Sequence, residues 1–445
     1  MRFSGLLIVA ALLAAPLLYF VPLAGKHDVL AVFSQYIGVT ALIAMAITQI
    51  LATRLAFVEL IFGGLDRVYV LHKWLGISAL VMVLLHDTID AEIDGLGAET
   101  GLTDLAETMG EISLYAFLIL VLITIVTFIP YNLWKWSHKL MGTFFALSVF
   151  HLAFINKPFA NTDLIGAYVL IICGLGIVAY LYTLLPQNFG SRTDAFTVDK
   201  VEKTGDAFSV QLSPNGKAVK HKAGQFAFIN FDVPHLAEVH PFTISAAPNE
   251  NNSLRFTIKP LGDYTRKLQS AISPGTEAYI SPAYGHFRLR KNKRPQIWIA
   301  GGIGVTPFLA WLGELTPDHA QVDFFYCIRG RDSAPHLAEI EARAAQLDNL
   351  NLHIIDSSQT GRLTASAIVE KSGADMKKAS AFFCGPEVMR NGLIRDLQSH
   401  GLRKSQFHFE EFEIRSGIGI RKLLAYFFRK TGISKRFASA LESVA

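Results

Sequence analysis

Cysteine is scarce in this 445-residue chain: Cys173, Cys327 and Cys384 are the whole supply, and none has the spacing of a metal-ligand set or a disulfide pair. That excludes a disulfide-stapled fold and suits a soluble part lying in a reducing compartment. Charge is scarce as well. Charged residues make up 18% of the chain against 51% hydrophobic ones, and a net charge of +4 gives no electrostatic case for nucleic acid. A mean hydropathy of +0.34 is too high for an ordinary soluble protein. The excess lies almost wholly before Pro186, and the later part is ordinary in composition and long enough for two domains.

What fills the first part is long apolar runs. Six spans can be drawn, roughly 4–24, 30–53, 69–88, 110–130, 137–155 and 163–185. The first is either a cleaved signal segment or an uncleaved span, and both send the chain to the outer side before residue 30. Arg54, Arg67, Lys73, Lys135, Lys139 and Arg192 then fall on the inner side, whereas only Lys26 and Lys157 fall outside. The connection at 87–111 is acidic (Asp87, Asp90, Glu92, Asp94, Glu99, Asp104, Glu107, Glu111) and has no Lys or Arg. It is either a solvated outer loop or an attractor of cationic substrate. The third and fifth spans both run from inside to outside.

Those two spans carry four histidines. His72 and His86 are 14 residues apart, and His138 and His151 are 13 apart. At about 1.5 Å per residue the rings of one helix lie roughly 20 Å apart, most of a hydrocarbon core of about 30 Å. Between the paired histidines nothing else is ionisable except Lys73 and Lys139. Any one of these residues is equally well a membrane histidine hydrogen-bonded to a neighbour. Two matched pairs on parallel helices favour haem iron with both axial positions filled, His72 opposite His138 and His86 opposite His151. One feature resists ideal geometry: a 14-residue step returns to nearly the same helix face, but a 13-residue step lands about 140° away. The fifth span is therefore wound irregularly or presents its ligands from different sides.

After Pro186 the pattern turns to short alternating runs around Ala195–Val201, Phe208–Leu212 and Gln225–Phe231, which read as strands of a small antiparallel barrel. From Pro295 it turns again, to strand, glycine loop and helix. Gln296–Ala300 leads into Gly301-Gly302-Ile303-Gly304-Val305-Thr306-Pro307, and strands follow at 322–327, 350–355 and 379–384. That is a parallel α/β domain whose glycine turn brings backbone N–H groups to a phosphate. Arg329 and Arg331 either hold a 2′-phosphate, favouring NADPH, or are solvated loop charges, leaving NADH open. Cys384-Gly385-Pro386 ends a later strand on the same edge. Residues 417–445 alternate basic pairs with apolar residues and read as an interfacial helix.

Taken in order, His240-Pro241-Phe242-Thr243-Ile244-Ser245, Gly262-Asp263-Tyr264-Thr265, the 301–307 turn, Cys384-Gly385-Pro386 and Glu410-Glu411-Phe412 resemble the ferredoxin-reductase-type flavoproteins. With the histidine spans in front, the chain resembles the NADPH oxidase and ferric reductase family of transmembrane flavocytochromes over about residues 30–415. The resemblance implies a membrane all-α six-helix haem bundle at 1–188, an antiparallel β-barrel FAD domain at 189–293 and an α/β parallel-sheet NAD(P) domain at 294–415, with a basic tail at 416–445. It implies FAD, two b-type haems held by His72, His86, His138 and His151, and NADPH or NADH. His240, Pro241, Phe242, Thr243, Ser245 and Lys259 would hold the flavin, with its pyrophosphate near Gly262, Tyr264 and Thr265. Gly301, Gly302, Gly304, Thr306, Pro307, Arg329, Gly385 and Pro386 would hold the dinucleotide. Cys384 would lie by the nicotinamide, and Phe412 would be the aromatic that the nicotinamide displaces from the flavin face.

Two departures bear on the reaction. Histidine stands at 240 where the soluble reductases carry arginine, as in the membrane branch. The second span has no arginine before Arg54, and Asp90 rather than histidine stands one turn after His86, which weakens the likeness to superoxide-producing oxidases. The expected activity is a reductase taking electrons from cytoplasmic NAD(P)H to a ferric chelate outside a bacterial inner membrane. An oxidase reducing O2, and an electron donor to a periplasmic partner or quinone, are the alternatives.

Overall fold

In a computed structural model, residues 2–89, 92–93, 95–125, 131–185, 193–234, 236, 238–290 and 293–410 are described. Asp90, Asp94, Arg192, Glu411, Phe412 and the 416–445 tail lie outside the described residues. The chain divides into two compact units, the first ending and the second beginning near residue 186.

The first unit is helical: α1 (Phe3–Ala14), α2 (Leu17–Ala24), α3 (Val29–Ala52), α4 (Ala56–Phe62), α5 (Leu65–Thr88), α6 (Thr103–Ile125), α7 (Tyr131–Phe154) and α8 (Leu164–Leu184). Asp28 starts α3 by accepting a hydrogen bond from Ala31 N at 2.9 Å. That helix is the hub, buried on most of its surface and packed against α5 and α8, while α6 packs against α7. Small residues permit the close approach: a methyl on Gly176 of α8 would stand 2.8 Å from Ala46 Cα of α3. On α5, Leu65, Val68, Leu71, Leu75 and Ala79 form one buried stripe.

Among the described residues, five helical stretches are long and apolar enough to cross a membrane: Phe3–Ala24, Val29–Ala52, Leu65–Thr88, Thr103–Thr124 and Leu164–Leu184. The expected span at 137–155 falls on α7 up to Phe154, and α7 is not among the five; Lys135, His138, Lys139 and His151 dilute its apolar run. The span expected to begin at 110 begins at Thr103, so Asp104, Glu107 and Glu111 sit in the opening turns of α6 rather than in a loop. Acidic side chains suit the positive end of a helix dipole there.

The second unit holds two sheets. The first is antiparallel, with β1 (Asp194–Thr204), β2 (Ala207–Pro214), β3 (Phe226–Phe231), β4 (His240–Thr243), β5 (Leu254–Ile258) and β6 (Glu277–Ile280) in the order β4-β3-β6-β1-β2-β5. The expected barrel is present only as this sheet: its edges meet at a single bridge, Ile244 to Phe256, not along a continuous ladder. Helix α9 (Asp263–Ala271) follows β5.

The second sheet is wholly parallel, as expected. It comprises β7 (Gln296–Gly301), β8 (Val322–Ile328), β9 (Leu350–Asp356), β10 (Ser380–Cys384) and β11 (Phe407–Phe409), in the order β11-β10-β7-β8-β9. Its connections carry α10 (Thr306–Glu314), α11 (Leu337–Ala344), α12 (Ala365–Ser372) and α13 (Glu387–Ser399). The chain enters at β7, goes out to β8 and β9, then returns to place β10 on the other side of β7. The crevice beyond the carboxyl ends of β7 and β10 is thus a topological switch point, where such sheets bind ligands. One aromatic core ties the sheets together. Phe287, from the antiparallel side, stacks on Trp311 of α10 at 4.7 Å, and Trp311 Nε1 donates to Ala223 O.

Candidate functional site

His72, His86, His138 and His151 share one feature: each ring has its Nδ1 at a fixed oxygen. His72 Nδ1 lies 3.0 Å from Thr48 O, His86 Nδ1 2.9 Å from Ser34 O, and His151 Nδ1 2.8 Å from Ala106 O. His138 Nδ1 lies 3.5 Å from Thr124 Oγ1. A carbonyl can only accept, so the first three rings carry their proton on Nδ1 and keep a lone pair on Nε2, the arrangement a metal-ligating imidazole needs. The structure brings His72 and His138 together, with ring centroids 6.1 Å apart and planes at 57°. Two imidazoles gripping one metal ion stand about 6 Å apart, twice an N–metal bond of roughly 2 Å plus the ring radius. His86 and His151 are each seated on the backbone carbonyl of a neighbouring helix, Ser34 of α3 and Ala106 of α6. These residues fit a bis-histidine haem.

Sequence reading missed how room is made for the second pair. An imidazole donating to a helix carbonyl must pass the side chain four residues further on, which lies on the same face. Four residues after Ser34 stands Gly38, and four after Ala106 stands Gly110. A methyl on Gly38 would come to 3.0 Å from His86 Nδ1, and one on Gly110 to 2.6 Å from His151 Nδ1. Ser34 Oγ also lies 3.0 Å from His86 Nδ1. Helix α7 is uninterrupted from Tyr131 to Phe154, so irregular winding does not explain the 13-residue step. Helix α6 serves both of its ligands, Thr124 at one end and Ala106 at the other.

In the antiparallel sheet, His240 stacks on Tyr264 at 3.9 Å between centroids, and its Nε2 lies 2.9 Å from Glu238 Oε2. Phe242 stands 6.3 Å from the same imidazole, so His240, Phe242 and Tyr264 form one aromatic surface. Burial, helped by the Glu238 carboxylate, pushes the Tyr264 phenol up, so it remains a hydrogen-bond donor, to Glu238 O at 3.3 Å. Thr265 Oγ1 accepts from Leu261 N and Gly262 N at the start of α9. Pro241 is exposed and Thr243 buried on β4. Ser245 is fully buried, its hydroxyl bonded to Thr257 Oγ1 and Arg255 O. Lys259 Nζ pairs with Asp206 Oδ2 at 2.6 Å.

At the switch point the two expected loops touch. A methyl on Gly304 would stand 2.2 Å from Cys384 O, and one on Gly301 2.8 Å from Pro386 Cδ. Gly302 takes φ +54° with open space beside it. Thr306 Oγ1 donates to Ile303 O, and Pro307 sits in the first turn of α10, where its missing N–H costs nothing. Gly385 packs against Gly301. Burial and the Glu410 carboxylate push the Cys384 thiol well above its ordinary value, so it is a neutral thiol packed in the core beneath the loop. Arg329 is exposed beyond β8, while Arg331 Nη2 pairs with Glu341 Oε1 at 2.5 Å.

Comparison with known proteins adds three findings. The family profile described as "Ferric reductase like transmembrane component" matches residues 37–149, and that of "FAD-binding domain" matches 192–306. The chain is similar to the flavohemoprotein of Bordetella pertussis, 26% identical over 239 residues, which are 48% of this chain and 59% of that protein. It is similar to the reductase component of propane 2-monooxygenase from Rhodococcus jostii, 25% identical over 225 residues, 47% of this chain and 60% of that one. The chain thus spans about three fifths of the length of these curated relatives. Among solved structures, the flavohem-like FAD/NAD-binding domain of nitric oxide dioxygenase from Vibrio cholerae is 20% identical, with a TM-score of 0.44, covering 50% of this chain and 99% of that one.

Proposed function

From the premise that this chain belongs to the ferric reductase and NADPH oxidase family, whose transmembrane and FAD-binding domains it carries in order, we propose that it moves electrons across a bacterial inner membrane. The donor is cytoplasmic NAD(P)H, and the acceptor outside is a ferric chelate. When bound, flavin takes hydride from a nicotinamide and passes electrons on singly, the only form in which a haem iron accepts them. The observation that carries the reading is the set of four imidazoles whose Nδ1 atoms are held by fixed oxygens, with one pair already at the spacing an iron requires.

His72 and His138 would hold the inner haem, and His86 and His151 the outer one, in a bundle of six crossing helices. Lys and Arg residues concentrated around 54–73 and 135–139 support the inward placement of the soluble unit. Each electron moved outward is assisted by about 2.3 kcal/mol per 100 mV of inside-negative potential. On the soluble side, the His240–Tyr264 stack with Phe242 offers a flat apolar wall to an isoalloxazine. The 301–307 turn offers backbone donors to a dinucleotide phosphate, and Cys384, whose thiol is uncharged, would lie by the nicotinamide. Arg329 is available for a 2′-phosphate, and Phe412 would cover the flavin until nucleotide binds.

The experiment is anaerobic reduction of purified protein by NADPH and by NADH, followed by addition of ferric citrate. Flavin and haem bands should bleach in turn and the haem bands should recover on ferric addition. In His72→Ala the flavin should still bleach while transfer to ferric citrate is lost. Ferric reduction that persists without His72, or that superoxide dismutase abolishes when the assay is repeated in air, sinks the proposal.

A further inference from the structure

Behind the flavin strand runs a closed ring of hydrogen bonds that the reaction as proposed does not use. Ser245 Oγ lies 2.9 Å from Thr257 Oγ1, which lies 3.0 Å from His336 Nε2. The other nitrogen of that ring, Nδ1, lies 2.8 Å from Glu339 Oε2. Arg255 donates to both oxygens of Glu339 at 2.9 Å. The same guanidinium closes the circle on Ser245 O, from Nη2 at 2.7 Å and Nε at 3.2 Å. Three members, Ser245, Arg255 and Thr257, belong to the antiparallel sheet region, and His336 and Glu339 belong to the parallel-sheet region at the start of α11.

The placement is specific. Ser245 is two residues beyond Thr243, the end of the strand that carries the His240–Phe242 surface. His336 and Glu339 follow directly on the Arg329–Arg331 loop beyond β8. His336 is held at φ +56°, a left-handed conformation uncommon outside glycine. Its N–H donates to Thr204 Oγ1 at 2.7 Å, and Asp206 N donates to Ser333 O at 3.1 Å, so the β1–β2 turn clamps the same segment. Adhesion between the sheets does not need this ring, because the Phe287–Trp311 stack already supplies an apolar core. A partly exposed ionic circuit, with Arg255 16% and Glu339 47% exposed, is a poor source of net stability, yet it fixes direction where apolar packing tolerates rotation.

We propose that Arg255, Thr257, His336 and Glu339 are positioning residues: the ring sets the angle of the nucleotide sheet against the flavin strand, and with it the approach of nicotinamide to flavin. This rests on the flavin and nicotinamide part of the function proposed above. Hydride transfer needs reacting atoms within roughly 3–3.5 Å, and a misplacement of about 1 Å by a distant change costs up to about 100-fold.

The test is stopped-flow reduction of the flavin by NADPH in the full-length membrane protein, which separates the limiting rate from nucleotide affinity. FAD content and melting temperature are measured alongside. Glu339→Gln and Thr257→Val should each lower the limiting rate about 10-fold or more, at the scale of such misplacement, with FAD content retained and nucleotide affinity little changed. Thr257→Ser, which restores the hydroxyl, should recover the wild-type rate. Unchanged limiting rates in both variants overturn the proposal. So does a loss that merely tracks FAD release or melting, because that is a structural role alone. A wild-type flavin that neither NADPH nor NADH reduces overturns the underlying function and the ring's role together, whereas a reducible wild type with equally fast variants removes only the ring.

Discussion

The two units hold their functional side chains by different means. In the helical unit, three of the four candidate haem ligands, His72, His86 and His151, are fixed by main-chain carbonyls, of Thr48, Ser34 and Ala106. In the sheet unit, His240 is held by the Glu238 carboxylate, and the strand beyond it by Thr257, Arg255 and Glu339 side chains. Solvent explains the contrast. Lipid penalises every extra polar side chain, so the cheapest acceptor is a carbonyl the helix already possesses. In water a carboxylate or guanidinium is available and can be aimed. The lesson is that the carbonyl partners of His72, His86 and His151 cannot be deleted by substitution but can be obstructed, whereas partners in the second unit can be deleted one at a time.

The sharpest way to break that contrast is to obstruct a carbonyl. Gly110→Ala puts a methyl where the nearest atom is His151 Nδ1 at 2.6 Å. It should cost one of two haems and lower ferric reduction about 100-fold, the upper end for loss of a partner that orients a metal ligand. Haem per FAD in the purified variant checks it, and two haems retained would show that the ring has another seat. Gly38→Ala, at 3.0 Å from His86 Nδ1, should act the same way but less severely.

Deletion in the sheet unit comes next. Glu339→Ala strands Arg255, whose side chain is only 16% exposed. Because Glu339 itself is 47% exposed, the cost should be about 1–2 kcal/mol, between surface and buried ion pairs. Thermal unfolding of the second unit, followed by loss of flavin signal, measures it.

A smaller effect is acid sensitivity. Burial beside Arg290 brings the His408 pKa down to about 4 from an ordinary 6.5. The unfolded chain therefore takes up that proton first, so this contribution to stability is whole above pH 6.5, falls as pH drops toward 4, and levels off below. Glu339 acts lower down: burial alone would raise it, but hydrogen bonds from His336 and Arg255 win and hold it at about 2. Its contribution is present above the ordinary 4.5 and is lost between there and about 2. Replacing His408 by Phe should flatten the melting-temperature profile between pH 6.5 and 4 and leave the lower limb unchanged.

The smallest effect sharpens the comparison from the other side. Ser34→Ala removes a hydroxyl 3.0 Å from His86 Nδ1 but leaves the Ser34 carbonyl at 2.9 Å. Haem content should be unchanged and ferric reduction within about 3-fold of wild type, near the worth of one modest hydrogen bond. Loss of the haem in this variant would mean that a side chain, not the backbone, holds that ring.

How much was readable follows the same divide. The histidines, the glycine turn and the order of the flavin and nucleotide motifs are chemistry written in side chains, and the parallel sheet follows from buried apolar runs such as Gln296–Gly301. Backbone acceptors leave no letter in a sequence, so Thr48 and Ala106 were invisible. Gly38 and Gly110 were in plain view but mean something only once the helix pairing is known. Helix α6 began earlier than expected because its first turns are acidic, and hydropathy reads acid as loop. Arg255 and Glu339 are 84 residues apart, and no local pattern ties a strand arginine to a helix glutamate at that distance.

The central claim is that four imidazoles at two depths of one bundle hold two irons. The most direct measurement is haem per FAD in protein purified from porphyrin-supplemented cells, with the reduced-minus-oxidised spectrum. Two b-type haems per FAD in the wild type, and one in His151→Ala, are the predicted result. Protein that carries FAD but shows no Soret band would contradict it.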